Sequence, residues 1–528
     1  MPRLQINDFS GGLRTDRAQN LIEDNESPIH QNVWTVNSNA LTKRNGIDLG
    51  FTTGFATSSN DSFSFQRPGS SGSAANIRGY IFNGSTLYET NVGVTSTTSY
   101  TNGSRTHGFV VSYNNNLYFS QINTDEGLIQ WDGTTFTELT DNRPHGKMVE
   151  VYKDSIFTGR LTVPAGTVGL LSRLKWSSTG DPTIWPTNNF TDISPGDGLI
   201  INLLKTYRES LYIFKGTWED GAVTAPGKYK SPSVYRLTGE PSGLQKGAYE
   251  IIPIDIFSSF GLVYPKTVLT WNNNLIMFTN NGIYSYDGNS VENLTDKIQT
   301  TIDSCNFRYT AGTTAQANAN WGQAIVYRDK YWTSLVENTS ASGVNTIYVL
   351  EKNGSIWRFK MTDPLQSSNH ISSFFIGGNG NLYGVLSTVS LTDTQQIFRL
   401  NSTSSVDFNT SAINASYTTK EFDFKSPVHF KYAYVDFRGQ PNGILNVEFN
   451  VDQHGWVQRQ VDMHSSYSDI KRSQRLLIGN MGRSIQFRVS NNQAYVNFEI
   501  YEIGCEYMPM HDSSEITQAR AIDSTSNS

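Results

Sequence analysis

Cysteine is nearly absent from this chain of 528 residues: Cys305 and Cys505 are the whole complement, 200 positions apart. They form no zinc or redox spacing, and nothing in the sequence supports a bridge between them. Both read as small buried apolar side chains, so stability is expected without disulfides. Long apolar runs are missing too. No stretch approaches the ~18 residues that a membrane helix needs, and no stable membrane insertion is expected. The first residues, Met1 to Asp8, lack the apolar core of a signal peptide, which predicts synthesis without secretion. Charge is scarce and nearly balanced. Lys and Arg total 41 against 47 Asp and Glu, a formal charge of −6, too small to mark a dedicated nucleic-acid binder.

In place of charge the sequence carries aromatic residues (12%) and 44 glycines, with Asn, Ser and Thr on the polar side. Aromatics suit half-buried pleated surfaces, and Asn and Gly suit tight turns. That mixture excludes a coiled coil, a collagen-like rod and a chain disordered throughout. Helix is sparse. One candidate begins near Thr295, with Leu294, Ile298, Ile302 and Cys305 along a single stripe. Ser27-Pro28 also fits the start of one helical turn, with Ser as N-cap and Pro first.

A repeat organises the middle of the chain. Residues 113–141 run Tyr113-Asn114-Asn115-Asn116-Leu117-Tyr118-Phe119, then Trp131-Asp132-Gly133, then Leu139-Thr140-Asp141. Residues 271–296 repeat the order with Trp271-Asn272-Asn273-Asn274-Leu275, Tyr286-Asp287-Gly288 and Leu294-Thr295-Asp296. The Asn runs and the Asp-Gly pairs predict hairpin turns. Weaker copies begin near residues 79, 152, 207, 327 and 378, at intervals of roughly 40–60 residues, the size of a four-stranded propeller blade. The predicted fold is all-β: a β-propeller of six to eight blades over residues 51–410, its last blade closed by a strand from elsewhere. Unrelated meanders stacked as a sandwich are the alternative.

After residue 410 the texture changes. Leu445-Asn446-Val447-Glu448-Phe449-Asn450-Val451 alternates with period two, as do Ile485–Val489 and Val496–Ile500, predicting a C-terminal antiparallel β-sandwich over 411–510. Residues 415–510 hold 10 basic and 10 acidic side chains, so they present no basic excess. Residues 511–528 have little to bury and read as a flexible tail.

Chemistry is hard to find. A propeller glycosidase needs two carboxyl groups facing each other across a sugar. Here Asp132, Asp141, Asp287 and Asp296 stand at hairpin ends, where Asp bonds to local backbone amides. Ser177 to Trp185 is reminiscent of the sialidase Ser-x-Asp-x-Gly-x-Thr-Trp box, but its Gly precedes the Asp, Pro follows, and it occurs once. The eight His never pair at ligand spacing, and Asn123–Gly127 lacks the distal Glu of a calcium loop. No phosphate loop or nucleophile elbow is present. No enzyme, cofactor or metal is expected.

The first fifty residues are the most distinctive. Phe9-Ser10-Gly11-Gly12-Leu13-Arg14-Thr15 is followed by Glu26-Ser27-Pro28, Asn32-Val33 and Leu41-Thr42-Lys43-Arg44-Asn45-Gly46. This order resembles the N-terminal signature of tail tube or nozzle proteins of short-tailed bacteriophages. Lys175-Trp176-Ser177, Asp197-Gly198, Leu211 to Gly216 and Tyr284 to Ile298 extend the likeness. It implies a β-propeller virion protein, made in the host cytoplasm, that assembles as a homohexameric ring below the portal and adaptor and lets the genome out. A baseplate or tail-hub component of a longer tail is the nearest alternative. A carbohydrate-active or glycan-binding propeller is the alternative of another class. The implied partners are the adaptor and portal, tail fibres or spikes, and DNA in non-specific transit. A mildly acidic conduit would let a duplex slide. Residues 1–50 read as an extended arm whose Phe9, Leu13, Leu21, Ile22, Val33 and Trp34 dock either on its own propeller or on a neighbour.

Overall fold

The computed structural model describes residues 1–36, 39–55, 59–66, 77–83, 86–90, 97–101, 107–121, 127–142, 144–161, 170–216, 233–239, 249–255, 264–279, 281–304, 323–337, 344–361, 370–387, 395–408, 410–464 and 471–510. The chain divides into two units, one of residues 47–352 and 364–401, the other of residues 1–46, 353–363 and 402–528. These bounds differ from the divisions at 50 and 410 read from the sequence.

The first unit is a seven-bladed β-propeller. Its inner strands are Ser59–Gln66, His107–Tyr113, Gly146–Tyr152, Ile200–Tyr207, Leu269–Trp271, Ala324–Tyr327 and His370–Ile376. Each begins an antiparallel sheet of four strands in which consecutive strands pair. In strand order the sixth blade's sheet ends on Ile356–Lys360. The seventh takes its outer strand from the opposite end of the propeller sequence. Asp48–Phe55 pairs with Gln395–Arg399, placing Leu49 opposite Phe398 and Phe51 opposite Ile397. The inner strands of the first and seventh blades also meet, and Ser62 Oγ donates to the Phe374 carbonyl at 3.1 Å. The circle is closed by pairing the two ends of the propeller sequence.

Blades hold together through apolar layers between them. Leu203, Tyr207, Tyr212 and Phe214 of the fourth blade pack with Leu275, Met277 and Tyr286 of the fifth. Phe157, Leu174 and Trp176 of the third pack with Ile201, Leu211 and Ile213 of the fourth. Strands such as Asn116–Gln121 and Ser155–Leu161 are buried on both faces because a neighbour covers each side. That explains why aromatic residues crowd this part of the sequence.

The second unit is built on one continuous antiparallel sheet of ten strands. Two strands are unusually long, Phe422–Arg438 at 17 residues and Lys471–Asn491 at 21. Register shifts interrupt their pairing, and Gly479 takes a φ of +72°. Such irregularities bend strands and let one serve two faces. Ile444–Val451 alternates buried and half-buried residues throughout, as its period-two pattern predicts. Its inward side chains share a core with Phe430, Val435, Phe487, Ile500 and Cys505. The sandwich is thus a single sheet enclosing one core.

The first 46 residues are part of that sheet. Arg3–Ile6, Ile29–Gln31, Val33–Val36 and Ala40–Lys43 are four of its strands. Phe9 and Val33 lie in its core, Leu13 and Ile22 are also buried, and Trp34 packs edge-on against Phe359 at 5.6 Å. Leu21 alone of the six docking residues stays out, 65% exposed. Phe9 and Val33 of the expected arm therefore belong to the core built with the C-terminal strands.

Ser27 does not cap a helix. It lies in the short strand Glu26–Ser27, and its Oγ donates to the carbonyls of Thr418 (2.7 Å) and Ile29 (2.9 Å). Tertiary partners outcompete the local cap. Near Thr295 a 3-10 turn, Asp296–Ile298, leads into the helix Gln299–Ser304, with Ile298 and Ile302 buried. Cys505 is a buried free thiol, pushed up to about 12 by burial, whereas Cys305, the loop 123–126 and the tail 511–528 lie outside the described residues.

Candidate functional site

The repeat turns are where sequence and geometry meet most closely. Asn114 and Asn115 take φ of 46° and 64°, and Asn272 and Asn273 take 51° and 62°. Two successive positive φ values mark the tight hairpin turn that suits the right-handed twist of strands, and Asn tolerates them. Asn116 and Asn274 open the following strands, paired with Tyr113 and Trp271. Lys153-Asp154 and Arg328-Asp329 adopt the same conformation in their blades. Each Asp-Gly pair makes a second turn. Asp132 Oδ1 accepts from the amides of Thr134 (2.8 Å) and Thr135 (2.7 Å), and Asp287 Oδ1 accepts from Asn289 (2.8 Å) and Ser290 (2.7 Å). These bonds hold both carboxyl groups below the usual range, while Gly133 and Gly288 both sit at φ 102°. All eight turn residues do structural work.

The aromatic residue before each turn links one blade to the next. Tyr113 donates its hydroxyl to the carbonyl of Asp154 (3.0 Å), Tyr152 to Glu209 (3.2 Å), and Tyr207 to Asn273 (2.7 Å). Trp271 Nε1 donates to Asp329 (3.0 Å). In all four cases the acceptor is the second turn residue of the following blade. A repeat in sequence thereby becomes a chain of hydrogen bonds around the propeller face.

The inner strands offer little for acid–base chemistry. Among their described side chains, Glu150 is the single carboxylate. It accepts from the Thr206 amide (3.2 Å) and lies 3.9 Å from Lys205 Nζ. Burial raises its pKa, against the opposing pull of Lys205. One such group lacks the partner that hydrolysis across a glycosidic bond requires. Asp181 behaves as a turn residue, accepting from Thr183 N (2.9 Å), whereas Asp141, expected to bond locally, accepts from Trp185 N 44 positions away (2.6 Å). Among the described residues no three His, Cys, Asp or Glu gather to hold a metal. No helix there is long and apolar enough to cross a membrane.

The N-terminal signature forms a buried polar network within the sheet unit. Gly12 has φ +74°, and a Cβ there would come within 2.6 Å of Ile356 N. Arg14 bonds Asp16 (2.9 Å) and both oxygens of buried Glu26 (3.2 Å each). Asn32, itself at φ 57°, donates to Asn414 O (2.7 Å) and accepts from Arg44 Nε (2.8 Å) and Lys360 N (2.7 Å). Arg44 then pairs with fully buried Asp407 at 2.8 Å. A Cβ on Gly46 would approach Val406 O to 1.9 Å. Beside them Lys43 is buried against three oxygen acceptors, Asn491 Oδ1, Gln493 O and Val496 O, and burial lowers its pKa to about 8. In the propeller, the Asp197 and Lys215 of the later segments also pair, at 2.7 Å. Asp407 and Asn414 carried no local signal, because their partners lie hundreds of positions away.

No protein family and no curated protein matches this chain in sequence. Similar solved structures include BamB from Moraxella catarrhalis, at 10% identity and a TM-score of 0.33 over 70% of this chain and 94% of that one. An acylaminoacyl peptidase from Pyrococcus horikoshii gives 12% identity and a TM-score of 0.36 over 70% of this chain and 59% of that one. An exo-β-1,3-galactanase from Phanerochaete chrysosporium gives 8% and 0.25 over 68% and 94%.

Proposed function

We propose that this chain is a non-enzymatic structural protein of a tailed-phage virion, the subunit of a nozzle ring below the portal and adaptor through which the genome leaves. The observation that carries this reading is the correspondence between the N-terminal signature and the buried network. Gly12, Arg14, Glu26, Ser27, Asn32, Arg44 and Gly46 each hold a position that a substitution would break. A resemblance spread over short motifs gains weight when those motifs specify one folded unit. The turn roles of Asp132, Asp181 and Asp287 fit a scaffold.

A ring needs head-to-tail contacts that close by rotation, with a homohexamer as the expected form. Mass photometry and negative-stain imaging of the full chain, alone and with its portal–adaptor complex, test this. Closed rings of six copies are expected in at least the second condition. A chain that stays monomeric in both overturns the reading. Gold-labelled antibody on virions should mark the end of a short tail; label on a baseplate would favour the hub alternative.

A further inference from the structure

One polar face of the sheet unit sets five side-chain amides, Asn446, Asn450, Gln458, Gln460 and Gln486, around a single tryptophan. Its rows follow from the strand registers. Trp456, Asn450 and Gln486 lie side by side across three strands. In the next row Gln458, Glu448, Arg488 and Thr418 are neighbours, and in the third Gln460, Asn446, Ser490 and Ser416. The same alternation that sends Val447, Phe449 and Phe487 into the core turns these to the opposite face, where Thr418 and Gln486 are themselves covered.

A cleft of about 510 Å³ opens at the tryptophan end, where Gln19, Asn20, Glu421 and Gln453 join the wall. The Arg488 guanidinium stacks on Trp456, 3.9 Å from the ring centroid, while its Nε donates to Thr418 Oγ1 at 3.3 Å. Its Nη1 lies 3.6 Å from Glu448. That stack fixes the indole plane at the cleft wall. Gln458 and Gln460 both donate to Asn446 Oδ1, at 2.8 and 3.5 Å, which leaves the Asn446 amide hydrogens and two glutamine carbonyl oxygens for an outside partner.

We propose that this face and its cleft form a saccharide-binding site for a neutral glycan. A sugar hydroxyl both donates and accepts, and a side-chain amide offers both in one plane. A tryptophan ring supplies the flat apolar surface that a pyranose C–H face needs. Charge excludes the competing chemistries. Arg488 already faces Glu448, so an anionic ligand would find no free cation in these rows, and the apolar surface of the cleft is confined to Trp456, Ile29 and Ala18, small for an apolar peptide. Glu421 is engaged by Ser484 Oγ (2.6 Å) and Gln453 Nε2 (3.0 Å), so the site binds without a pair of free carboxyl groups to cleave. The proposal stands on the sheet face alone and holds whether or not the chain forms a ring.

Screening the full chain on an array of neutral oligosaccharides and bacterial O-polysaccharides, followed by calorimetry with the strongest glycan, tests it. Binding is expected to weaken at least about tenfold in Trp456→Ala and to stay within about threefold in Trp456→Phe, since stacking is the larger contribution. Asn450→Ala should weaken it too, and Met481→Ser, at an exposed position outside these rows, should not. Thermal melting of each variant separates lost binding from lost folding. No retained glycan at millimolar concentration, or equal binding by folded Trp456→Ala, overturns the proposal. A preference for anionic over neutral glycans overturns the assigned chemistry.

Discussion

The hydroxyl of Tyr207 donates to the backbone carbonyl of Asn273 at 2.7 Å, joining the strand end of one blade to the turn of the next. The same relation recurs from Tyr113 to Asp154 and from Trp271 to Asp329. Removing the donor leaves a carbonyl with only a long contact from Arg208 Nη2 at 3.5 Å. Tyr207→Phe is therefore expected to cost the propeller about 1 kcal/mol. Trp271→Phe, which also removes buried ring atoms, should cost roughly 2 kcal/mol. Urea denaturation checks both, through a lower midpoint at an unchanged slope. A neutral Tyr207→Phe would mean that the interblade bond only replaces one to water.

Glycine positions separate two kinds of strain. Gly12 and Gly455 both have positive φ, but a Cβ at Gly455 meets open space, while one at Gly12 meets the Ile356 backbone. Gly455→Ala should cost about 1 kcal/mol, the conformational penalty alone. Gly12→Ala adds a clash with backbone that has no rotamer to escape into, and it should cost at least about 2–3 kcal/mol. Comparing the two melting temperatures measures the difference. Equal losses would show that the 353–363 segment can yield.

The blade repeat and its turns were legible because propeller blades are local, although the repeat bounded the blade count only at six to eight. Each hairpin is closed within about fifteen residues, so Tyr113-Asn114-Asn115-Asn116 states its own geometry. Period two likewise exposed the strand Ile444–Val451, whose two faces meet different surroundings. The fate of the first 46 residues was not legible. Ile6 pairs with Ile503 and His30 with Tyr417, partners that no local pattern ties together. For the same reason Ser27 looked like a cap when read beside Pro28 alone. The amide-rich face was visible in principle as the polar half of the alternation in 445–451 and 485–489. The rows that set these amides beside Trp456 became evident only once the register aligned three strands.

His30 gives the sheet unit an acid limit. It is fully enclosed between Trp357 and Tyr417, and burial, with Arg358 nearby, lowers its pKa from 6.5 to about 3. In that window the unfolded chain carries the proton and the folded chain does not. Stability therefore rises with pH between about 3 and 6.5 and is lost as pH falls through 6.5, by up to about 1.4 kcal/mol per unit. His30→Gln should flatten that slope by one proton, even where it lowers stability at pH 7. Denaturation midpoints at pH 7.5, 6 and 5 check this, with the carboxylates common to both proteins cancelling in the comparison. An unchanged slope in the variant would show that His30 is protonated in the folded state.

Arg44 and Asp407 pose the sharpest test of the signature network. Both are buried, at 3% and 0% exposure, and the guanidinium also donates to the carbonyls of Asn45 (2.9 Å) and Lys360 (3.1 Å). Taking away one member leaves the other charge buried without its ion-pair partner. Arg44→Met is therefore expected to cost about 3–5 kcal/mol, enough to unfold the sheet unit on its own. The double variant Arg44→Met, Asp407→Leu removes both charges, and should recover a large part of that loss because the desolvation penalty disappears with them. The recovery will be incomplete, since Asn32 Oδ1 and the Lys360 carbonyl lose donors that no apolar side chain replaces. A double-mutant cycle read by chemical denaturation yields the coupling between the two residues. Strong positive coupling fits a network conserving charge balance. If the two losses simply add, the pair contributes through its separate backbone contacts, and the signature Arg is a hydrogen-bond donor more than an ion.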